Sequence, residues 1–359
     1  METYKQQLEK LRAEMSAVNE GIMCNLNRFF EISNQIGEVK DKLGVPHFDP
    51  VRESEMLKEI REKNQGPMPQ DLMKRIFKEI FLASVEEMGV GQRQKLKVNR
   101  LPGGKDLVID VKGIQIGGKK PVLIGGPCSV ENYEQIYETA KGLKNLGVNI
   151  LRGGAFKPRT SPYSFQGLES EALKMMRKAA NVLDMAVITE VLDARDVELV
   201  VQYADILQVG TRNMFNYSLL KELGKIEKPV MIKRGFMATI EEFIFAAEYV
   251  HIGGNEKIIL CERGIRTFET QTRNTLDISC IPILKKETPL PIIVDVSHAT
   301  GRKDIIVPIA HAALSAGAHG LMFESHYQPA VALSDSKQQL DLEEAGALIG
   351  YLKGFFDLS

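Results

Sequence analysis

The chain has 359 residues, 44% of them hydrophobic and 26% charged, with a formal net charge of −1. This is globular composition, long enough for more than one ordinary domain, and the near-neutral charge gives no reason to expect nucleic acid or a membrane surface as a partner. No apolar run approaches the ~18 residues of a membrane-spanning helix, the N-terminal METYKQQLEKLRAEM is too polar for a secretory signal, and four scattered cysteines (Cys24, Cys128, Cys261, Cys280) make no disulfide framework. A cytoplasmic protein with free thiols is expected.

Residues 1–90 read as helical. Leu8, Leu11, Met15, Val18, Ile22, Leu26, Phe29 and Ile36 recur at helical spacing, and no proline interrupts residues 1–45. A helix from Tyr4 to Asp41 would be about 57 Å long at ~1.5 Å per residue. Ninety residues cannot cover such a rod, so a second copy of the chain is expected against it, in a dimer or a tetramer. A second helix is expected after Asp49-Pro50, with the aspartate as cap and the proline in the first position. A third follows the PMP break at 67–69, over Gln70–Glu87. The weakly patterned stretch 91–106 reads as a linker.

From Leu107 onward the period changes. LVIDVKGIQIGG (107–118) reads as a hairpin. After it, eight β-rich runs alternate with amphipathic helical stretches: VLIGG (122–126), ILRGGAF (150–156), AVITEVL (186–192), ILQVGT (206–211), PVMIKRG (229–235), KIILCERG (257–264), PIIVDVSH (291–298) and GLMFESH (320–326). Eight strand–helix units predict a (β/α)₈ barrel over 107–359, with the hairpin closing its bottom. A doubly wound open sheet is the competing architecture, but no dinucleotide-type glycine loop supports it.

The active site of such a barrel lies at the C-terminal ends of its strands. In order, those ends carry Cys128; Arg152 with Lys157 and Arg159; Glu190; Arg212; Lys233 with Arg234; Arg263; Asp295 with His298; and Glu324 with His326. Rim salt bridges would explain one or two of these, not the set. Seven cations converging on one mouth would repel one another unless the ligands carry several negative charges, most simply phosphates and a carboxylate. Cys128, His298 and Glu324 end strands one, seven and eight, which adjoin when a barrel closes. A thiolate, an imidazole and a carboxylate there suit a divalent metal, and Asp335 in ALSDSKQQL could supply a fourth donor. The mixed donor set does not choose the metal.

GGPCS, LRGGAFKPRTSP, VGTRN, IKRG, ERGIRTFE, DVSHATGR, GLMFESH and ALSDS together resemble the 3-deoxy-D-arabino-heptulosonate 7-phosphate (DAHP) synthases of the type I beta subgroup, fused to an N-terminal, all-helical chorismate mutase domain. The resemblance spans nearly the whole chain. It implies the condensation of phosphoenolpyruvate with erythrose 4-phosphate, the first step of the shikimate pathway, with a divalent metal, manganese being the expected one. It implies Cys128, His298, Glu324 and Asp335 as metal ligands. Arg152, Lys157, Arg212, Lys233 and Arg263 would hold phosphoenolpyruvate, and Lys157, Pro158, Arg159 and Thr160 would hold the sugar phosphate. Lys157 is the expected proton donor to the aldehyde oxygen, and Glu190 the residue that positions the attacking water. The nearest rival, the octulosonate 8-phosphate synthases, has a different loop in place of KPRT and no fused helical domain.

The mutase pattern matches Arg12, Lys40, Asp49, Arg52, Glu53 and Ser84, but fails at two positions. Phe29 stands where the resemblance implies the main active-site arginine, and Met88 where it implies a glutamine or glutamate. Neither can donate a hydrogen bond to the negative charge that develops on the ether oxygen. Weak or absent mutase activity is therefore expected, with the domain serving as a dimerisation unit and as a sensor of chorismate or prephenate. A bifunctional enzyme with both activities is the alternative.

Overall fold

The structure, a computed structural model, describes all residues except Met1, Gly44, Pro46, Phe48, Lys95, 157–162, Ser164, Phe165 and Ser359; for Glu2, Asp41 and 86–94 it describes the backbone alone. The expected sugar-phosphate loop, Lys157, Pro158, Arg159 and Thr160, lies outside the described residues, as does the side chain of Met88. The chain divides into two units, residues 1–96 and 97–359.

The first unit consists of α1 (Glu2–Leu43), α2 (Pro50–Lys63) and α3 (Gln70–Gln94). Asp49 caps α2, its side chain accepting from the amides of Val51 and Arg52, and Pro50 opens the helix, where its missing N–H is no loss. The third helix runs past Glu87, the end set by its periodicity, to Gln94. Phe29 of α1 stacks on Phe81 of α3, ring centroids 6.0 Å apart and planes 22° apart, and Phe77 packs behind. The N-terminal half of α1 is uncovered in the single chain: Leu8, Leu11, Met15, Val18 and Ile22 are each about half exposed.

The second unit opens with a hairpin of β1 (Ile109–Val111) and β2 (Ile114–Ile116), turned at Lys112-Gly113, both at positive φ, as tight hairpin turns require. Strands and helices then alternate: β3 (Val122–Gly126), α4 (Tyr133–Asn145), β4 (Ile150–Arg152), α5 (Glu169–Val182), β5 (Ala186–Val191), α6 (Val197–Tyr203), β6 (Ile206–Val209), α7 (Tyr217–Leu223), β7 (Val230–Lys233), α8 (Ile240–His251), β8 (Ile258–Glu262), α9 (Cys280–Glu287), β9 (Ile292–Asp295), α10 (Val296–Thr300), α11 (Ile306–Ser315), β10 (Gly320–Glu324) and α12 (Leu342–Lys353). All barrel pairs are parallel, and β10 closes the barrel on β3, Gly320–Glu324 in register with Val122–Gly126. This closure rules out the open sheet and makes β3, β9 and β10 neighbours.

The hairpin plugs the N-terminal end. Its Ile109, Val111 and Ile116 pack with the interior side chains Val122, Ile124, Ile150, Ile206, Met231 and Ile259 in one apolar cluster. Residues 97–106 are bound to the barrel: the amides of Lys97 and Val98 donate to Glu248, and Arg100 pairs with Asp106 and donates to the carbonyl of Thr288. With its base filled, the barrel leaves its C-terminal mouth for chemistry. Among the described residues, no helix is long and apolar enough to cross a membrane.

Candidate active site and metal centre

β3 ends in Gly125-Gly126, and Pro127 follows. Gly126 has φ +151°, and a Cβ there would stand 2.0 Å from the carbonyl oxygen of Arg152. Only glycine lets the chain pass that close to β4. The chain then carries Cys128 into the mouth, fully buried. Its Sγ lies 3.0 Å from Ser334 Oγ and 3.4 Å from Asp335 Oδ2, and its amide donates to Gln339 Oε1 at 3.0 Å. The ligand atoms of Cys128, Glu324 and Asp335 all lie within 4.8 Å of one another. Asp335 sits at φ +48°, a backbone region that aspartate tolerates better than most residues.

His298 completes the group. Asp295, at the end of β9, caps α10: its Oδ1 accepts from the His298 amide at 3.0 Å, and its Oδ2 lies 2.8 Å from His298 Nδ1. With Nδ1–H given to Asp295, the Nε2 lone pair faces Glu324 Oε1 at 3.4 Å and Asp335 Oδ2 at 4.0 Å. An imidazole lone pair turned toward two carboxylates and a thiol is an arrangement that a bound cation satisfies. Burial, with Lys233 nearby, pushes the His298 pKa below the usual imidazole range, so the ring is neutral at pH 7 and able to ligate. One thiol, one imidazole and two carboxylates fit a divalent metal without singling one out.

Cations surround this group. Arg152 Nη1 donates to Glu324 Oε1 at 2.6 Å, both side chains buried. Burial opposes its charge, but Glu324, with Cys128 and Asp295 behind it, raises its pKa above that of an ordinary arginine. Lys233 pairs with Asp295. Burial alone would raise the Asp295 pKa; His298 and Lys233 hold it well below the usual carboxylate range. Arg212 and Arg263 differ from these. Among the described residues, Arg263 donates only to the carbonyls of Gly264 and His298, each at 3.3 Å, and both guanidiniums stand over the ring of Phe236, at 5.6 Å for Arg212 and 4.8 Å for Arg263. Glu190 extends from β5 across Gly210, where a Cβ would fall 1.8 Å from its Oε1.

Several contributors carry no strand-end signature. Arg273 bonds Asp335 at 3.1 Å and Gln338 at 2.8 Å, and Gln338 donates to Glu324. These residues lie on loops that only the folded chain brings to the mouth. Asp295 is visible as an ionisable strand end, but its double role toward Lys233 and His298 is not. Arg234, buried between Glu262 at 2.9 Å and Asp277 at 2.8 Å, faces its own acids: it braces β7 against β8 rather than joining the open cations.

The mutase-pattern residues of the helical unit are arranged differently. Arg12 pairs with Glu9 at 2.8 Å and Arg52 with Glu55 at 3.2 Å, all four largely exposed. Lys40 Nζ donates to the carbonyl of His47 at 2.8 Å, Asp49 caps α2, and Ser84 Oγ donates to the carbonyl of Phe81 at 2.8 Å. Glu53 lines a cleft of about 560 Å³ between α2 and α3, together with Lys58, Arg61, Lys74 and Lys78.

Residues 101–354 match the DAHP synthetase I family, and residues 11–88 match chorismate mutase type II. A phospho-2-dehydro-3-deoxyheptonate aldolase of Thermotoga maritima is 54% identical over 253 residues, which cover 70% of this chain and 75% of that protein. The crystal structure of a Thermotoga maritima DAHP synthase matches with a TM-score of 0.68 at 54% identity, over 70% of this chain and 73% of its own. A truncated form of the 3-deoxy-D-arabino-heptulosonate 7-phosphate synthase of that organism gives 0.67 at 49% identity, over 72% of this chain and 94% of its own. More distant is a 2-dehydro-3-deoxyphosphooctonate aldolase of Syntrophobacter fumaroxidans, 29% identical over 67% of this chain and 88% of its own length.

Proposed function

Since the chain belongs to the DAHP synthetase I family and carries its synthase activity, we propose that the barrel mouth condenses phosphoenolpyruvate with erythrose 4-phosphate, with a divalent metal held by Cys128, His298, Glu324 and Asp335. The observation that carries this reading is the convergence of His298 Nε2 with the ligand atoms of Cys128, Glu324 and Asp335, at a mouth that also holds the guanidiniums of Arg212 and Arg263. A bound metal would act there as a Lewis acid on the aldehyde oxygen.

The residues of the chain supply the rest. Asp295 holds the imidazole in the tautomer that leaves Nε2 free to ligate. Arg152, Lys233, Arg212 and Arg263 bind the carboxylate and phosphate of phosphoenolpyruvate and orient its C3 toward the aldehyde carbon. The C–C bond forms between those two carbons, water adds at C2, and phosphate departs with its bridging oxygen. Lys157 gives a proton to the aldehyde oxygen, and Glu190 positions the water. The sugar phosphate is held by Lys157, Pro158, Arg159 and Thr160. Identity of 54% to a heptonate aldolase against 29% to an octonate aldolase favours the four-carbon sugar phosphate over the five-carbon one.

The helical unit, residues 1–90 in this reading, serves as a dimerisation and sensing domain with little mutase turnover. The Phe29–Phe81 stack supports this, because the residue that stands in place of the implied anion-binding arginine packs as an apolar ring. The uncovered stripe of α1 suits a second copy of the chain. A thiol ligand at Cys128 must stay reduced, which suits the cytoplasm. One assay tests the whole proposal: loss of phosphoenolpyruvate in the presence of erythrose 4-phosphate, with and without chelator, and then with chorismate or prephenate. Chelator should abolish turnover, and one of the two dicarboxylates should inhibit it. Chelator-resistant turnover would overturn the metal assignment, and absence of inhibition would overturn the sensing role.

A further inference from the structure

The cations of the mouth fall into two groups. Arg152, Lys233, Arg234 and Arg273 each have a carboxylate partner. Arg212, Arg263 and Arg266 have none among the described residues. All three instead gather on one aromatic ring: the guanidinium carbons of Arg266, Arg263 and Arg212 lie 4.5, 4.8 and 5.6 Å from the centroid of Phe236. A ring quadrupole attracts guanidiniums and aligns them but does not neutralise them. Three guanidiniums without a carboxylate partner on one ring make a positive field that suits an anion with two charges.

The backbone fixes this arrangement. Phe236 follows β7 and Arg263 and Arg266 follow β8, and the two strand ends are locked by the buried Arg234–Glu262 pair. The Arg234 Nε donates to the carbonyl of Ala238 at 3.0 Å, closing the turn that presents the ring. Glu262 Oε1 accepts from the Gly264 amide at 2.6 Å. The Arg266 amide donates to the carbonyl of Phe236 at 2.8 Å, and Ile265 exchanges two 2.9 Å bonds with Thr275. Phe236 is only half buried and its neighbour Met237 is 81% exposed, so the ring stands at the mouth and not in the core.

We propose that Phe236 is a positioning residue that gathers Arg212, Arg263 and the exposed Arg266 into one receptor for the phosphate of phosphoenolpyruvate, with Arg266 as a phosphate contact beyond those expected from the strand ends. This rests on the assignment of Arg212 and Arg263 to that substrate. Leucine in place of Phe236 keeps apolar bulk and removes the π face; tyrosine keeps the face.

Steady-state kinetics of the full-length, metal-supplied enzyme test the proposal. Phe236→Leu should raise the KM for phosphoenolpyruvate about tenfold while kcat and the KM for erythrose 4-phosphate change less than about threefold. Phe236→Tyr should return the KM to within about threefold of the parent. Arg266→Gln should raise the same KM by about tenfold and weaken competitive inhibition by inorganic phosphate in step. Equal effects of leucine and tyrosine, or a fall in kcat at constant KM, would show a packing role for Phe236 and overturn its part. An unchanged KM and phosphate inhibition in Arg266→Gln would overturn the added contact, and this exposed site decides the matter if Phe236→Leu folds poorly. Arg212→Gln separates the two levels: if it leaves the phosphoenolpyruvate KM unchanged, the substrate assignment itself fails, whereas a rise there with none in the Phe236 and Arg266 variants sinks the receptor alone.

Discussion

The barrel mouth and the helical unit treat charge in opposite ways. In the mouth, buried ion pairs join different elements: Arg152 of β4 to Glu324 of β10, Lys233 of β7 to Asp295 of β9, and Arg234, just past β7, to Glu262 of β8. In the helical unit the pairs are exposed and run along one helix, as in Arg12 with Glu9 and Arg52 with Glu55. Buried pairs do not generally stabilise a fold over apolar packing, so a ring of them marks a place where chemistry needs charge. Exposed pairs within a helix contribute only about 0.3–0.5 kcal/mol each and carry no such message. Within a single chain, Arg12, Asp49, Arg52 and Ser84 of the mutase pattern bond along or cap their own helices, while Cys128, Arg152, His298, Glu324 and Asp335 of the synthase pattern converge.

The sharpest way to break this contrast is to remove a candidate ligand. Cys128→Ser or Glu324→Gln should lower synthase activity at least about 100-fold, since even partners one shell out typically cost 10–100-fold. Titration calorimetry should show weakened metal binding in a barrel that still unfolds cooperatively. Full activity in Cys128→Ser would return the thiol to a packing role. From the other side, Phe29→Arg with Met88→Gln in the full-length protein should raise chorismate turnover about 10²-fold if two missing contacts are what silence the helical unit. Parent turnover already matching ordinary mutases would remove the functional contrast between the units. Asp295→Asn tests an intermediate effect, an expected 10–100-fold loss with weaker metal binding, because the His298 tautomer and the Lys233 charge both depend on it.

Much of this was legible before folding. Alternation of apolar runs with amphipathic helices specified the barrel, and Asp49-Pro50 marked the start of α2. The strand-end rule brought Cys128, His298 and Glu324 to adjacent positions because β3, β9 and β10 adjoin only when the barrel closes. Loop residues were not legible in the same way. Arg273, Gln338 and Gln339 reach the site from segments without periodicity, so no spacing argument places them. The Phe236 ring was hidden for a different reason: an aromatic residue in a strand-end run reads as core, and only three-dimensional distances show cations on it. The length of α3 was understated because its apolar periodicity fades after Glu87, while the helix runs on through Gly89 and Gly91.

The barrel also holds a titratable group far from the mouth. His319 is buried at the foot of β10, its Nδ1 accepting from the Ile292 amide at 3.0 Å. Burial, with Lys285 adding repulsion, pushes its pKa down to about 4, against about 6.5 in the unfolded chain. Between those values the unfolded state takes up a proton that the folded state refuses, so stability falls as pH drops from 6.5 to 4 and this contribution levels off below that. The loss amounts to about 3 kcal/mol from this one group. Denaturant unfolding of the barrel from pH 7 to pH 4 should show that slope, and His319→Asn should flatten it relative to the parent. An unchanged slope would place the acid sensitivity in other groups.

The smallest effect separates two meanings of one residue. Asp49 belongs to the mutase pattern, yet in the structure its carboxylate bonds the Val51 and Arg52 amides at 3.1 Å and caps α2. Loss of such a cap costs about 1 kcal/mol. Asp49→Ala should therefore lower the stability of the helical unit by that amount and leave the barrel transition and synthase KM values alone. Asp49→Asn, which keeps a capping oxygen, should be nearly silent. If instead the asparagine variant folds normally but loses inhibition by chorismate or prephenate, the carboxylate charge is read by a ligand, and the helical unit keeps more of its pocket than its helix-bound ion pairs indicate.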